Sequence, residues 1–164
     1  MNIIFLDVDG VLNSINNLIK VYNETHKPHS GYSYPFDSKC LENLKKLITE
    51  TKSNLVISST WRYSQEGMEK LLEALSKYEL DKLVIGCTPA LGLSRGEEIK
   101  KYLSNYKTTE TIKFVILDDD RDMGELSQYL VHINRNVGLT EENVQQAVNK
   151  LIKQNIKEND DFER

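Results

Sequence analysis

Two cysteines, three prolines and one tryptophan are all that these 164 residues contain of those types, and each shortage closes a class of answer. Cys40 and Cys87 show no C-x-x-C spacing, so neither a disulfide framework nor a zinc site is expected. His26, His29 and His132 are scattered and offer no metal-ligand spacing either. Without a Pro- or Gly-rich linker or an internal repeat, the chain reads as one compact unit, since this length supplies a full core for one domain but not for two ordinary ones. No apolar run approaches the ~20 residues of a bilayer span. Met1 to Leu6 lead at once into Asp7 without a basic n-region or a cleavage site, so a soluble, cytoplasmic protein with no membrane partner is expected. There is no excess of basic charge: 21 Lys and Arg face 25 Asp and Glu, a net charge of -4. That balance argues against a broad, sequence-independent grip on nucleic acid while leaving room for a local basic pocket. No G-x-G-x-x-G or G-K-[ST] follows an apolar run, which disfavours dinucleotide-binding and P-loop readings.

What is present is an alternation of short apolar runs with amphipathic stretches, the pattern of an α/β protein whose parallel sheet carries helices on both faces. Five strands are predicted, at Ile3 to Leu6, Leu55 to Ile57, Leu83 to Ile85, Phe114 to Leu117 and Tyr129 to Ile133. Helical stripes follow an Asp37 or Ser38 cap, a Ser64 cap, a Ser94-to-Glu97 capping box and a start near Thr140. The expected domain covers 1–154, and the charged stretch 155–164 is expected to fray. Residues 13–36 fit none of this. They hold Pro28, Gly31, Tyr22, Tyr32 and Tyr34 with at most a short helix near Leu18 to Asn23, and a connection of that length suggests a flap over a site.

The acids are concentrated in two runs, Asp7-Val8-Asp9-Gly10 and Asp118-Asp119-Asp120-Arg121-Asp122, each directly after a predicted strand. In an open parallel sheet, ligands bind beyond the carboxyl ends of the strands where strand order reverses. If the two strands are neighbours, three or four carboxylates converge. Two like charges 4 Å apart repel by about 4 kcal/mol at an effective dielectric of 20, so such a cluster calls for a cation or bound protons. An all-oxygen, partly open donor set suits Mg²⁺, which typically joins a few carboxylates to a substrate phosphate. Ser58-Ser59-Thr60-Trp61-Arg62 ends another strand and offers hydroxyls and backbone N–H groups as a phosphate cradle. Arg95 sits in the first turn of its helix, against the helix dipole, which hints at a role other than local stability.

Together these residues resemble the haloacid dehalogenase superfamily of phosphotransferases over most of the chain, from Asn2 to about Leu151. Asp7-Val8-Asp9-Gly10-Val11-Leu12-Asn13 is similar to its first motif, Ser58 to its second, Arg95 to its third and Asp118-Asp119 to its fourth. The extra Asp120 and Asp122 leave that last register open between Asp118/Asp119 and Asp119/Asp120. The S-S-T-W-R stretch, with R-G-E-E-I further on, looks most like the small capless branch that includes phosphatase domains of RNA-repair enzymes. The resemblance implies an HAD-like, three-layer Rossmann-like domain without a sizeable cap.

It also implies a hydrolase that forms an aspartyl-phosphate on Asp7, with Asp9 as general acid and base in surroundings that are apolar or acidic. Mg²⁺ is implied at Asp7, the Asp9 main-chain carbonyl, Asp119 and Asp118, and Ser58 and Arg95 are implied to hold phosphate oxygens. Gly10, Ser59 and Arg62 are the further candidate substrate-binding residues, although Arg62 could equally face solvent. The implied partner is a phosphorylated substrate such as a nucleotide or polynucleotide end, because an uncapped site suits a large substrate. Trp61 and the flap tyrosines could stack a base, or Trp61 could pack in the core. The competing readings are a catalytically silent member of the same fold and a receiver-like signalling domain. The latter lacks its acceptor Asp, because Gly86-Cys87-Thr88 stands at the end of strand three.

Overall fold

The computed structural model describes residues 1–162, with side chains to Gln154. Five strands, β1 (Asn2–Leu6), β2 (Asn54–Ile57), β3 (Val84–Cys87), β4 (Lys113–Asp118) and β5 (Leu130–His132), form one sheet in the order β3-β2-β1-β4-β5, parallel throughout. The helices are α1 (Ile15–Thr25), α2 (Ser38–Thr51), α3 (Gln65–Ser76), α4 (Arg95–Asn105) and α5 (Glu141–Phe162). The architecture is the expected α/β Rossmann-like fold, with no large cap among the described residues. The tail expected to fray is covered in backbone by the end of α5, but its side chains and residues 163–164 lie outside the described residues.

Strand alternation divides the core in two. Ile4, Leu6, Leu55, Ile57, Val115 and Leu117 pack with Leu44 and Leu47 of α2, Leu71 and Leu75 of α3, and Val144 and Ala147 of α5. Ile3, Phe5, Val56, Phe114 and Ile116 point the other way, onto Ile99 of α4 and onto Met123 and Leu126 after β4. Burial of both faces explains why the strands read as continuous apolar runs. The third strand starts one residue later than its sequence suggests because Asp81–Leu83 winds into a 3-10 turn. The short helix expected near Leu18 is longer, α1, capped by Ser14, whose side chain accepts from the Asn17 N–H. None of its residues is buried.

The chain runs outward from β1 to β2 and β3, then returns to set β4 on the other side of β1. The switch point therefore lies between β1 and β4. The ladder continues one step past the strand ends: Asp7 N–H donates to Leu117 O and Ser58 N–H to Leu6 O, each at 3.0 Å, and Thr88 N–H donates to Ile57 O at 3.0 Å. Leu6 is in register with both Ile57 and Leu117, and Ile57 with Cys87, so Thr88, Ser58, Asp7 and Asp118 form one row across the sheet edge. By the two-residue period, that row shares the face covered by α4.

Candidate active site

At the switch point one oxygen from each of Asp7, Asp118 and Asp119 lies within 4.8 Å of the other two. Asp7 is 5% exposed and Asp118 0%. Burial, and next the Asp7 carboxylate, push the Asp118 pKa up to about 7, although Arg95 and the Asp120 N–H act the other way. Burial followed by Asp7 also raises Asp119, opposed by Arg135. Like charge crowded this closely raises both Asp118 and Asp119, and a bound cation would offset it. This donor set fits Mg²⁺: all oxygen, mostly buried and strained by its own charge.

Of the acidic run, two members come to Asp7 and a third does not. Asp118 and Asp119 join Asp7, while exposed Asp120 donates its N–H to Asp118 Oδ1 at 2.9 Å and lines a separate polar cleft with Arg95. Gly10 has a φ of +77°, and a Cβ there would come within 2.7 Å of Asp119 Oδ2. Its N–H is occupied by Asn13 Oδ1 at 3.0 Å. Gly10, expected to bind substrate, thus makes room for Asp119 by having no side chain.

Two arginines reach the cluster. Arg95 Nη1 lies 2.9 Å from Asp7 Oδ1 and 2.7 Å from Asp118 Oδ2. Burial works against its charge, but Asp7 and Asp118 outweigh that and raise its pKa. Arg135, which the sequence did not single out, pairs through Nη2 with Asp119 Oδ2 at 3.0 Å. Arg95 can come this close because α4 begins against the loop after β4: a Cβ on Gly96 would lie 2.3 Å from Met123 O.

Asp9 is placed differently from Asp7. Asn13 Nδ2 donates to its Oδ1 at 2.7 Å and Trp61 Nε1 to its Oδ2 at 2.9 Å. These two N–H donors fix the carboxylate. This corrects the stacking reading of Trp61: the ring is 1% exposed, packed against Tyr32 at 5.2 Å and Phe36 at 5.3 Å, and unavailable to a base.

Ser58 is fully buried, and its Oγ has no hydrogen-bond partner; Thr88 Oγ1, its neighbour in the row, shares that state. Buried hydroxyls without a partner are rare, and two at one sheet edge mark a place where acceptor or donor capacity is held in reserve. Ser59 and Arg62, the other candidate substrate-binding residues, are engaged within the chain. The Ser59 Oγ caps the 3-10 turn Thr60–Tyr63 by accepting from Trp61 N–H at 3.4 Å. The Arg62 side chain, 3% exposed, ion-pairs with buried Glu98 of α4 and does not face solvent. It also donates from Nη1 to Ser58 O and Ser59 O at 2.7 and 2.6 Å and from Nε to Thr88 O at 3.0 Å. Glu98 Oε1 accepts the Leu91 N–H at 2.8 Å. Arg62 and Glu98 therefore tie the ends of β2 and β3 to α4. Sequence reasoning did not single out Thr88, Arg135 or Glu98; Thr88 is detectable from strand register and Glu98 lies in the R-G-E-E-I stretch, while Arg135 carries no local signal.

The family model described as "HAD domain in Swiss Army Knife RNA repair proteins" matches residues 3–144. Among curated proteins none matches the chain. No helix among the described residues is long and apolar enough to cross a membrane.

Proposed function

Since the chain belongs to the family of HAD domains in Swiss Army Knife RNA repair proteins, we propose that it is a Mg²⁺-dependent phosphomonoester hydrolase that forms an aspartyl-phosphate on Asp7. The proposed substrate is a nucleotide or polynucleotide end. The observation that carries this reading is the meeting of Asp7, Asp118 and Asp119 oxygens within 4.8 Å, with Arg95 on two of them and Asp9 held two residues away. Burial of Asp7 and Asp118 sets this cluster apart from a group of solvated surface acids.

In the first step an Asp7 oxygen attacks phosphorus, the bond from phosphorus to the leaving oxygen breaks, and Asp9 gives that oxygen its proton. Water then attacks phosphorus while Asp9 takes a proton from it. The bond from phosphorus to Asp7 breaks, and phosphate and the free carboxylate are restored. Asn13 and Trp61 keep Asp9 aimed through both steps, which is worth most where a single group serves as acid and then as base. Ser58 Oγ and Arg95 hold the non-bridging oxygens; the Ser58 hydroxyl has no competing partner, and Arg95 already faces the anionic cluster. Asp7, Asp118, Asp119 and the Asp9 main-chain carbonyl would hold the metal, and Mg²⁺ there would offset charge on the transferring phosphoryl group.

The test is hydrolysis of an aryl phosphate with Mg²⁺ and with EDTA. Wild type should turn over only with the metal, and Asp7→Asn should lower kcat by at least about 10³-fold with an unchanged circular dichroism spectrum. Wild-type activity in Asp7→Asn would remove Asp7 from the mechanism, and an inactive wild type would favour a silent binding module.

A further inference from the structure

A cleft of about 200 Å³ opens beside Asp9, between α1 and the loop that follows β5. Ile15, Leu18, Tyr34 and Pro35 give it apolar walls, Asp9, Gly10, Asn13 and Ser14 line it too, and Arg135 brings a positive charge to it. We propose that this cleft is a leaving-group subsite for a phosphomonoester that carries a second anionic group, and that Arg135 reads that second charge. The inference rests on the phosphatase reading above and deepens it by naming the shape and charge of the substrate.

If Asp9 protonates the leaving oxygen, that oxygen lies on the Asp9 side of the phosphorus, and the body attached to it extends into the space Asp9 borders. Ile15, Leu18, Pro35 and the Tyr34 ring suit a flat or aliphatic body. The cleft lined by Thr60, Ser94, Arg95, Asp120 and Asp122 is the more polar of the two, with Tyr63 and Leu93 as its apolar members. Asp7, Asp118 and Asp119 repel any second anion nearby, so a dianionic substrate needs a cation on its leaving side.

Arg135 meets that need. Its side chain is 65% exposed while that of Asp119, 3.0 Å away, is 12% exposed, so the guanidinium has a solvent side on which to meet a phosphate. Its planar fork matches two phosphate oxygens at once. The backbone beneath it is fixed: Arg135 O accepts the Ile15 N–H and Asn136 O the Asn16 N–H, each at 3.0 Å. The loop is thus pinned to the start of α1 while the charged head reaches over the cleft mouth. A nucleoside bisphosphate combines the required parts, a phosphomonoester, a flat body and a second phosphate.

The test compares adenosine 3′,5′-bisphosphate with adenosine 3′- and 5′-monophosphates, with Mg²⁺. Wild type should favour the bisphosphate about tenfold in kcat/KM over the better monophosphate; Arg135→Ala should erase the preference, and Arg135→Lys, which keeps the charge without the fork, should keep only part of it. An equal loss on all three nucleotides in Arg135→Ala would show that Arg135 acts only through Asp119, and would overturn the proposal. Calorimetric titration of the same nucleotides into Asp7→Asn protein reads the discrimination without turnover. Absence of hydrolysis in wild type would then sink the phosphatase reading alone. Equal affinities for bisphosphate and monophosphates in Asp7→Asn would sink the subsite, and tighter bisphosphate binding that Arg135→Ala abolishes would support it.

Discussion

Burial and the neighbouring Asp7 carboxylate push the Asp118 pKa from its ordinary 3.8 up to about 7. Between those values the native protein keeps a proton that the unfolded chain has released, so the metal-free fold loses stability as pH rises through that window. Thermal melts in EDTA from pH 4 to 8 should show this fall, and Asp118→Asn should flatten it. A rising stability over the same range in wild type would contradict the assigned burial. Trp61 gives a second residue-level prediction. Its indole N–H holds Asp9 Oδ2 at 2.9 Å while its ring fills the core. Trp61→Phe keeps most of the packing and removes the donor, so kcat should drop about 10- to 100-fold, with a smaller change in KM. Loss of folding without a kinetic defect at equal folded fraction would make Trp61 a core residue only.

Among the elements, α4 and the ends of β2 and β3 depend on one buried ion pair. Arg62 donates to main-chain carbonyls of Ser58, Ser59 and Thr88, and Glu98 meets it from α4. Glu98→Gln leaves a buried guanidinium without its counter-charge, a change that typically costs about 3 to 5 kcal/mol. Urea denaturation should register that loss, and activity should fall as well, because Ser58 and Arg95 sit at the two ends of the clamp. A second junction, between α4 and the loop after β4, explains why α4 needs Gly96. A Cβ there would meet Met123 O at 2.3 Å, so Gly96→Ala must push the start of α4, and Arg95 with it, away from Asp7 and Asp118.

For the molecule as a whole, the acidic cluster at the switch point works against folding unless a cation is bound. Any ligand that binds only the native state stabilises it by mass action. Mg²⁺ should therefore raise Tm, and more so at pH 8 than at pH 5.5, because the raised pKa values of Asp118 and Asp119 make protons compete with the metal at low pH. Differential scanning fluorimetry at fixed ionic strength would check this, and Asp119→Asn should reduce the Mg²⁺-dependent shift at both pH values. The open sheet edge has no large cap among the described residues. Access to it is shaped instead by α1 and the 3-10 turn Gly31–Ser33, packed on the core through Tyr32.

Apolar runs, caps and the two acidic runs were legible without coordinates because each depends on residues close in the chain. Strand burial is written in continuous Val, Ile and Leu, the start of α4 in the Ser94 and Glu97 capping box, and the sheet edge in Asp7 and Asp118 directly after such runs. The flap between Asn13 and Pro35 was legible as an exception to periodicity, but not as an exposed helix beside a cleft. Tertiary structure alone decided that Asp118 and Asp119, not Asp120, join Asp7, since that depends on which way the chain turns after β4. It also decided that Trp61 serves Asp9, that Arg62 is spent on Glu98 and main-chain carbonyls, and that Arg135 reaches Asp119. Long-range polar contacts of this kind leave no periodic trace in sequence. A charged or aromatic residue reads the same whether its partner is water or a group 52 residues away, as Asp9 is from Trp61.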